Sequence, residues 1–127
     1  MKILLVEDNE MNRDMLRRRL ERRGFQVLTA IDGREALAVA PAEMPDVILM
    51  DLSLPDIDGC DATAWLKAHP AAGRIPVIAL TAHAMPADRQ KAFDAGCDEF
   101  ETKPVDLELL LSKITAVLSK TGNLPSR

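Results

Sequence analysis

The chain has 127 residues, enough for one domain of ordinary size and too few for a second. Its 47% hydrophobic and 28% charged residues are the composition of a globular protein with a sizeable buried core, not of a disordered tail. Sixteen Lys and Arg against twenty Asp and Glu give a formal charge of -4, so no basic excess exists to neutralise a phosphate backbone, which argues against direct nucleic-acid binding. The two cysteines, Cys60 and Cys97, lack the paired spacing of a zinc or redox motif and read as small buried or half-buried thiols in a reducing, cytoplasmic setting. The N-terminal apolar run, residues 3–6, is cut off at once by Glu7 and Asp8, so neither a signal peptide nor membrane insertion is expected.

Runs 3–6, 47–50 and 77–80 are too short for helices and do not alternate, the pattern of strands covered on both faces. The first ends at Glu7 and Asp8. A helical pattern follows, with Asn9 as N-cap; Met11, Met15, Leu16 and Leu20 share a face read as core, and Gly24 is the stop. Residues 25–30 mix Gln26 and Thr29 with apolar side chains, as in a half-exposed strand nearer an edge. Asp32 and Asp58 fit the starts of the second and third helices, Pro86 the first turn of the fourth, and Gly96 its end. Phe100, between Glu99 and Glu101, suggests a short strand at the other edge. Asp106 then caps a last helix whose buried stripe is Leu107, Leu110, Leu111, Ile114 and Leu118, with Leu109 off the stripe. His69 reads as a surface residue. A tail, residues 120–127, is expected to fray after this helix, leaving one domain over residues 1–119.

Strand and helix thus alternate five times. That order predicts an open, doubly wound α/β domain with a parallel sheet and helices on both faces. In such a sheet the ligand crevice lies beyond the carboxyl ends of the strands. Glu7 and Asp8, Asp51, Thr81 and Lys103 follow or end the first, third, fourth and fifth strands. If the first and third strands are neighbours about 4.8 Å apart, Asp8 and Asp51 crowd together with Glu7 nearby, and such a cluster requires a proton or a cation. A hard divalent ion, most simply Mg2+, suits oxygen ligands at a water-facing edge. Lys103 adds partial neutralisation and can grip an anion. One central carboxylate beside a cation, a hydroxyl and an ammonium suits phosphoryl transfer: Asp51 as acceptor, Lys103 and the metal offsetting charge, Thr81 donating a hydrogen bond to the product.

With these residues in place, the chain resembles the receiver domains of two-component response regulators, from Met1 to about Ser119. The motifs are LLVEDNEMNR with Glu7 and Asp8, ILMDLSLPDIDG with Asp51 and Gly59, VIALTA with Thr81, and FETKP with Lys103 and Pro104. The resemblance implies a flavodoxin-like five-stranded sheet in the order 2-1-3-4-5. It implies Mg2+, with Mn2+ able to substitute, held by Asp8, Asp51 and the backbone carbonyl of Ser53 with Glu7 alongside, and a cis bond between Lys103 and Pro104. It further implies transfer to Asp51 from a sensor histidine kinase or a histidine phosphotransfer protein, loss by self-catalysed hydrolysis or onward transfer, and output to a downstream protein target. By the same resemblance the domain is a phosphorylation-activated signalling switch or phosphorelay intermediate rather than an enzyme acting on other substrates. Thr81 and Phe100 take the switch positions, Phe100 turning inward, and Ser53 and His83 the positions that tune the lifetime of the phosphate. Phe100 stands where the family often has Tyr, so packing must carry the signal. The arginines of the first helix, Arg13, Arg17 and Arg18 among them, are either a solvated face interleaved with Asp14 and Glu21 or a surface that docks the kinase. A stand-alone receiver is expected, since no output domain follows Ser119.

Three rival readings fare worse. A flavin carrier of the same architecture needs a hydroxyl- and glycine-rich phosphate loop where Glu7 and Asp8 stand. A haloacid-dehalogenase-type phosphatase needs a second Asp where Ser53 stands. A degenerate receiver that docks partners without phosphorylation is opposed by the intact Asp51, Thr81 and Lys103.

Overall fold

The computed structural model describes residues 1–83 and 85–121. Five strands alternate with five helices: β1 (Lys2–Val6), α1 (Glu10–Arg22), β2 (Gln26–Ala30), α2 (Gly33–Glu43), β3 (Val47–Asp51), α3 (Gly59–Ala68), β4 (Val77–Thr81), α4 (Pro86–Asp94), β5 (Glu99–Thr102) and α5 (Leu107–Thr121), with a 3-10 turn at Ala72–Arg74 before β4. All strand pairs are parallel and the sheet order is β2-β1-β3-β4-β5, as expected.

The strand runs lack alternation because both faces are covered. Side chains one residue apart point to opposite sides, so Leu4, Val6, Ile48 and Met50 pack with Ala36 and Ala40 of α2 and Leu66 of α3. Ile3, Leu5, Leu49 and Leu80 pack with Leu16 and Leu20 of α1 and Leu110 and Ile114 of α5. Helices α1 and α5 therefore cover one face, and α2, α3 and α4 the other. β2, at the edge, is half-exposed over its first four residues, while β3 and β4 are buried throughout.

The caps follow the chemistry of the residues that supply them. Asn9, Asp32 and Asp58 each accept an amide hydrogen bond at the start of a helix, Asp106 accepts one from Leu109 N–H at 3.2 Å, and Pro86 opens α4. Gly24 and Gly96 take φ of 92° and 109°, the left-handed region where a side chain is strained.

The methionine half of the α1 stripe is a correction. Met11 and Met15 are 73% and 55% exposed, while Leu16 and Leu20 are buried. Those two leucines fill the space α1 presents to the sheet, and the methionines lie on the rim. Leu109 is exposed, as its position off the α5 stripe requires. His69 is half-buried: its Nδ1 accepts the amides of Ala71 and Ala72 at 3.0 and 3.1 Å and shapes the turn after α3. Helix α5 runs through Lys120 and Thr121, the first residues of the expected tail, and residues 122–127 lie outside the described ones.

Candidate functional site

The carboxyl ends of β1, β3, β4 and β5 converge. β3 lies between β1 and β4, pairing Met50 with Val6 and Asp51 with Leu80, so Asp51 ends its strand beside Glu7 and Asp8. Glu7, Asp51 and Thr81 are all buried, whereas Asp8 is exposed. One carboxylate oxygen from each of Glu7, Asp8 and Asp51 lies within 4.8 Å of the others.

Lys103 enters this cluster from just past β5, where its peptide bond to Pro104 is cis and its backbone N–H donates to Thr81 O at 2.8 Å. Its Nζ donates to Glu7 Oε1 at 2.6 Å and Asp51 Oδ2 at 3.1 Å. Burial by itself would lower the Lys103 pKa, but the bonds to Glu7 and Asp51 outweigh it and hold the ammonium above its ordinary value. Burial, reinforced by Asp51, pushes Glu7 up despite the pull of Lys103. The pocket is thus short of positive charge, because one ammonium serves two buried carboxylates with a third beside them. Its donors are all oxygens and one face is open at Asp8, which fits a hard divalent cation that keeps part of its water shell.

Asp51 Oδ1 accepts the Ser53 N–H at 2.9 Å, so both its oxygens are engaged and the carboxylate is fixed in rotation. The Thr81 hydroxyl oxygen accepts the His83 N–H at 3.1 Å. Ser53 and His83 are exposed; a cavity of about 190 Å³ runs past Ser53, Thr81 and His83 to Asp88 and Lys91. On its far side Lys91 of α4 reaches Asp58 Oδ2 at 3.3 Å. Phe100 is 3% exposed and packs on the α3 and α4 side of the sheet; the Arg89 guanidinium lies 5.8 Å from the ring centres of both Phe93 and Phe100. The inward position expected of Phe100 on switching is therefore the one it already holds.

The α1 arginines have different partners. Arg17 pairs with Asp14 and, at 3.0 Å, with Glu21, and Arg18 pairs with Asp14 at 3.1 Å. Arg13 instead turns back to the β1–α1 loop, donating to the carbonyl oxygens of Glu7 and Asp8 at 3.0 and 3.4 Å. Beside α1 a groove of about 410 Å³ runs from Glu7 and Lys103 past Met15 and Leu16 to Pro104 and Val105. The Lys91–Asp58 pair carries no local sequence signal because the fold brings its partners together, and Arg13's reach to the nearby loop carries none because its acceptors are backbone carbonyls.

The family model described as the response regulator receiver domain matches residues 3–115. The polar-differentiation response regulator DivK of Brucella anthropi is 37% identical over 116 residues, covering 91% of this chain and 94% of that protein, and DivK of Brucella ovis matches equally. Among solved structures, the receiver domain of the sensor histidine kinase PA1611 from Pseudomonas aeruginosa PAO1, with a magnesium ion coordinated in its active site cleft, superposes with a TM-score of 0.86 at 36% identity, covering 93% of this chain and 97% of that one. The chemotaxis protein CheY4 of Vibrio cholerae superposes with a TM-score of 0.86 at 32% identity, covering 92% and 98%. Sheet order, strand-end carboxylates and full-length similarity agree: the chain belongs to the response regulator receiver domain family, the phosphorylation-activated signalling domains of two-component systems.

Proposed function

We propose that Asp51 is the phosphoacceptor of this receiver, taking a phosphoryl group from a phosphohistidine on a sensor kinase or a phosphotransfer protein. The observation that carries this reading is the position of Lys103, whose ammonium spans Glu7 and Asp51 at 2.6 and 3.1 Å inside a buried acidic cluster. An Asp51 oxygen forms the bond to phosphorus as the bond from phosphorus to the histidine nitrogen breaks. The leaving imidazole keeps the electron pair. Lys103 offsets charge on the transferred group, and the Ser53 N–H holds the acceptor carboxylate in line. The Thr81 hydroxyl turns from His83 to donate to the product, and Ser53 and His83 line the path by which water reaches it.

The residues that would hold Mg2+, or Mn2+ in its place, are Glu7, Asp8, Asp51 and the Ser53 carbonyl. Bound there, the ion would neutralise part of the charge on the phosphoryl oxygens. Support comes from the clustering of three carboxylate oxygens within 4.8 Å and from the magnesium in the cleft of the PA1611 receiver. The signal then passes by repacking around Thr81 and Phe100 to a downstream protein, and the phosphoryl group is lost by self-catalysed hydrolysis or onward transfer. Residues 1–119 form the receiver in this reading, and the free thiols of Cys60 and Cys97 suit a cytoplasmic site of action. No described helix is long and apolar enough to cross a membrane.

Docking of the phosphodonor on α1 is part of the proposal, through Arg17 and Arg18. Charge reversal at both is expected to slow transfer from a kinase and flatten its salt dependence; unchanged rates would remove α1 from the docking surface. The central test uses a small acyl phosphate donor and intact-mass measurement. The wild type should gain one phosphoryl group in the presence of Mg2+ and Asp51→Asn none, whereas labelling of the substituted protein would overturn the assignment.

A further inference from the structure

Three carboxylates make up the cluster, but their side chains are not held alike. Asp51 is fixed by Ser53 N–H and Lys103. Glu7 is fixed by Lys103 and by the Asn9 N–H, which donates to its Oε2 at 3.3 Å. Asp8 is exposed, and among the described residues no hydrogen bond or ion pair is found at its carboxylate. Its aim toward the cluster is therefore inherited from the backbone that carries it.

That backbone is gripped by Arg13, one turn into α1. Its guanidinium nitrogen donates to Glu7 O at 3.0 Å and Asp8 O at 3.4 Å, the carbonyls of the two peptide units on either side of the Asp8 Cα. Fixing both peptide planes fixes the direction of the Cα–Cβ bond between them. Arg13 is itself anchored, since its helix is seated on the sheet by Leu16 and Leu20 and its own N–H donates to Asn9 O at 2.9 Å.

We propose that Arg13 is a positioning residue for a divalent-cation ligand: by holding the peptides that flank Asp8 it aims the Asp8 carboxylate at Asp51. This rests on the reading that Glu7, Asp8 and Asp51 hold such a cation. It gives Arg13 a role distinct from partner docking. It also opposes the plain electrostatic expectation, because a guanidinium near a cation site repels the ion, and simple removal of its charge would tighten binding.

The test titrates Mg2+ into the full chain by calorimetry, with thermal unfolding as a check that each variant is folded. Arg13→Ala and Arg13→Lys are both expected to bind Mg2+ roughly tenfold more weakly than the wild type, the scale of losing an outer partner of a metal ligand. Lysine keeps the charge, but its side chain is one bond shorter and stops short of the single guanidinium nitrogen that donates to both carbonyls. At saturating Mg2+ both variants should recover wild-type labelling by a small acyl phosphate donor, because Asp51 and Lys103 are untouched. Tighter binding in Arg13→Ala with wild-type affinity in Arg13→Lys would mean that Arg13 acts through charge alone, and unchanged affinity in both would leave it outside the site; either result overturns the proposal. A wild type that takes up no Mg2+ would overturn the cation site itself, and this inference with it.

Discussion

Gly59 stands against Asp51 so closely that a Cβ on Gly59 would lie 2.5 Å from the Asp51 carbonyl oxygen and 2.7 Å from Leu52 Cα. The start of α3 is thereby pressed onto the end of β3. Both obstructing atoms are backbone, so neither can yield by a rotamer change. Gly59→Ala is expected to destabilise the fold by about 1–3 kcal/mol, the usual scale of overpacking, and to slow labelling of Asp51. Urea denaturation and acyl phosphate labelling measure the two effects; wild-type values in both would show that α3 can retreat freely.

On the other side of the sheet, Glu101 of β5 is 3% exposed, with Lys113 Nζ of α5 2.9 Å from its Oε1 in an ion pair. Lys113 also donates to the Phe100 carbonyl, so the pair ties α5 to the strand that carries Phe100. Removing one partner of a buried pair leaves a charge without compensation, whereas replacing both restores an apolar contact. Lys113→Met should lose about 3–5 kcal/mol, and the double variant Glu101→Leu with Lys113→Met should recover most of it. Equal stabilities of the single and double variants by urea denaturation would contradict this.

Much of the fold is legible in the chain. The runs at β1, β3 and β4 announce central strands by failing to alternate, and Asn9, Asp32 and Asp58 mark helix starts because a short polar side chain can reach back to an amide. Asp51, Thr81 and Lys103 are legible for a simpler reason: each ends or follows a strand, and a parallel sheet brings those ends together. Met11 and Met15 mislead, since helical spacing identifies a face without saying how wide a stripe the neighbours cover. Glu101, read as a strand flank, is buried by α5, and Arg13, read as part of either a solvated face or a docking surface, bonds to backbone carbonyls that carry no signature in sequence. For the methionines and Glu101 the deciding partner is tertiary; for Arg13 it is local but a backbone oxygen, which every residue carries.

Asp56 shows the same limit and has a pH signature. Its carboxylate, on the loop after β3, accepts the N–H groups of Gly33 and Arg34 at the start of α2, at 2.8 and 2.9 Å. Desolvation pushes its pKa up, but the backbone hydrogen bonds from Arg34, Gly33 and Ile57 outweigh it and hold the group below the ordinary aspartate value. A depressed native pKa means that the unfolded chain binds the proton first. The stabilisation is therefore present above the ordinary value and lost as pH falls through the native one. Between about pH 5 and pH 3 the urea midpoint of the wild type should fall more steeply than that of Asp56→Asn, whose amide does not titrate. Parallel falls would place the acid sensitivity elsewhere.

Both cysteines are buried and free. Burial pushes the Cys97 thiol up to about 11 and raises Cys60 as well, and the thiolate is the reactive form. Neither should react with iodoacetamide at neutral pH while the protein is folded, and both should react in denaturant. Mass spectrometry of the alkylated protein reads the difference; rapid modification of the folded chain would show that the α3 and β5 side of the core opens.

The most direct measurement locates the phosphoryl group. After exposure to an acyl phosphate donor with Mg2+ or with a chelator, borohydride reduction converts an aspartyl phosphate to homoserine, and peptide mapping finds the position. Conversion at Asp51, dependent on Mg2+, is predicted; conversion at another carboxylate, or equal conversion at Asp51 in the chelator, would contradict it.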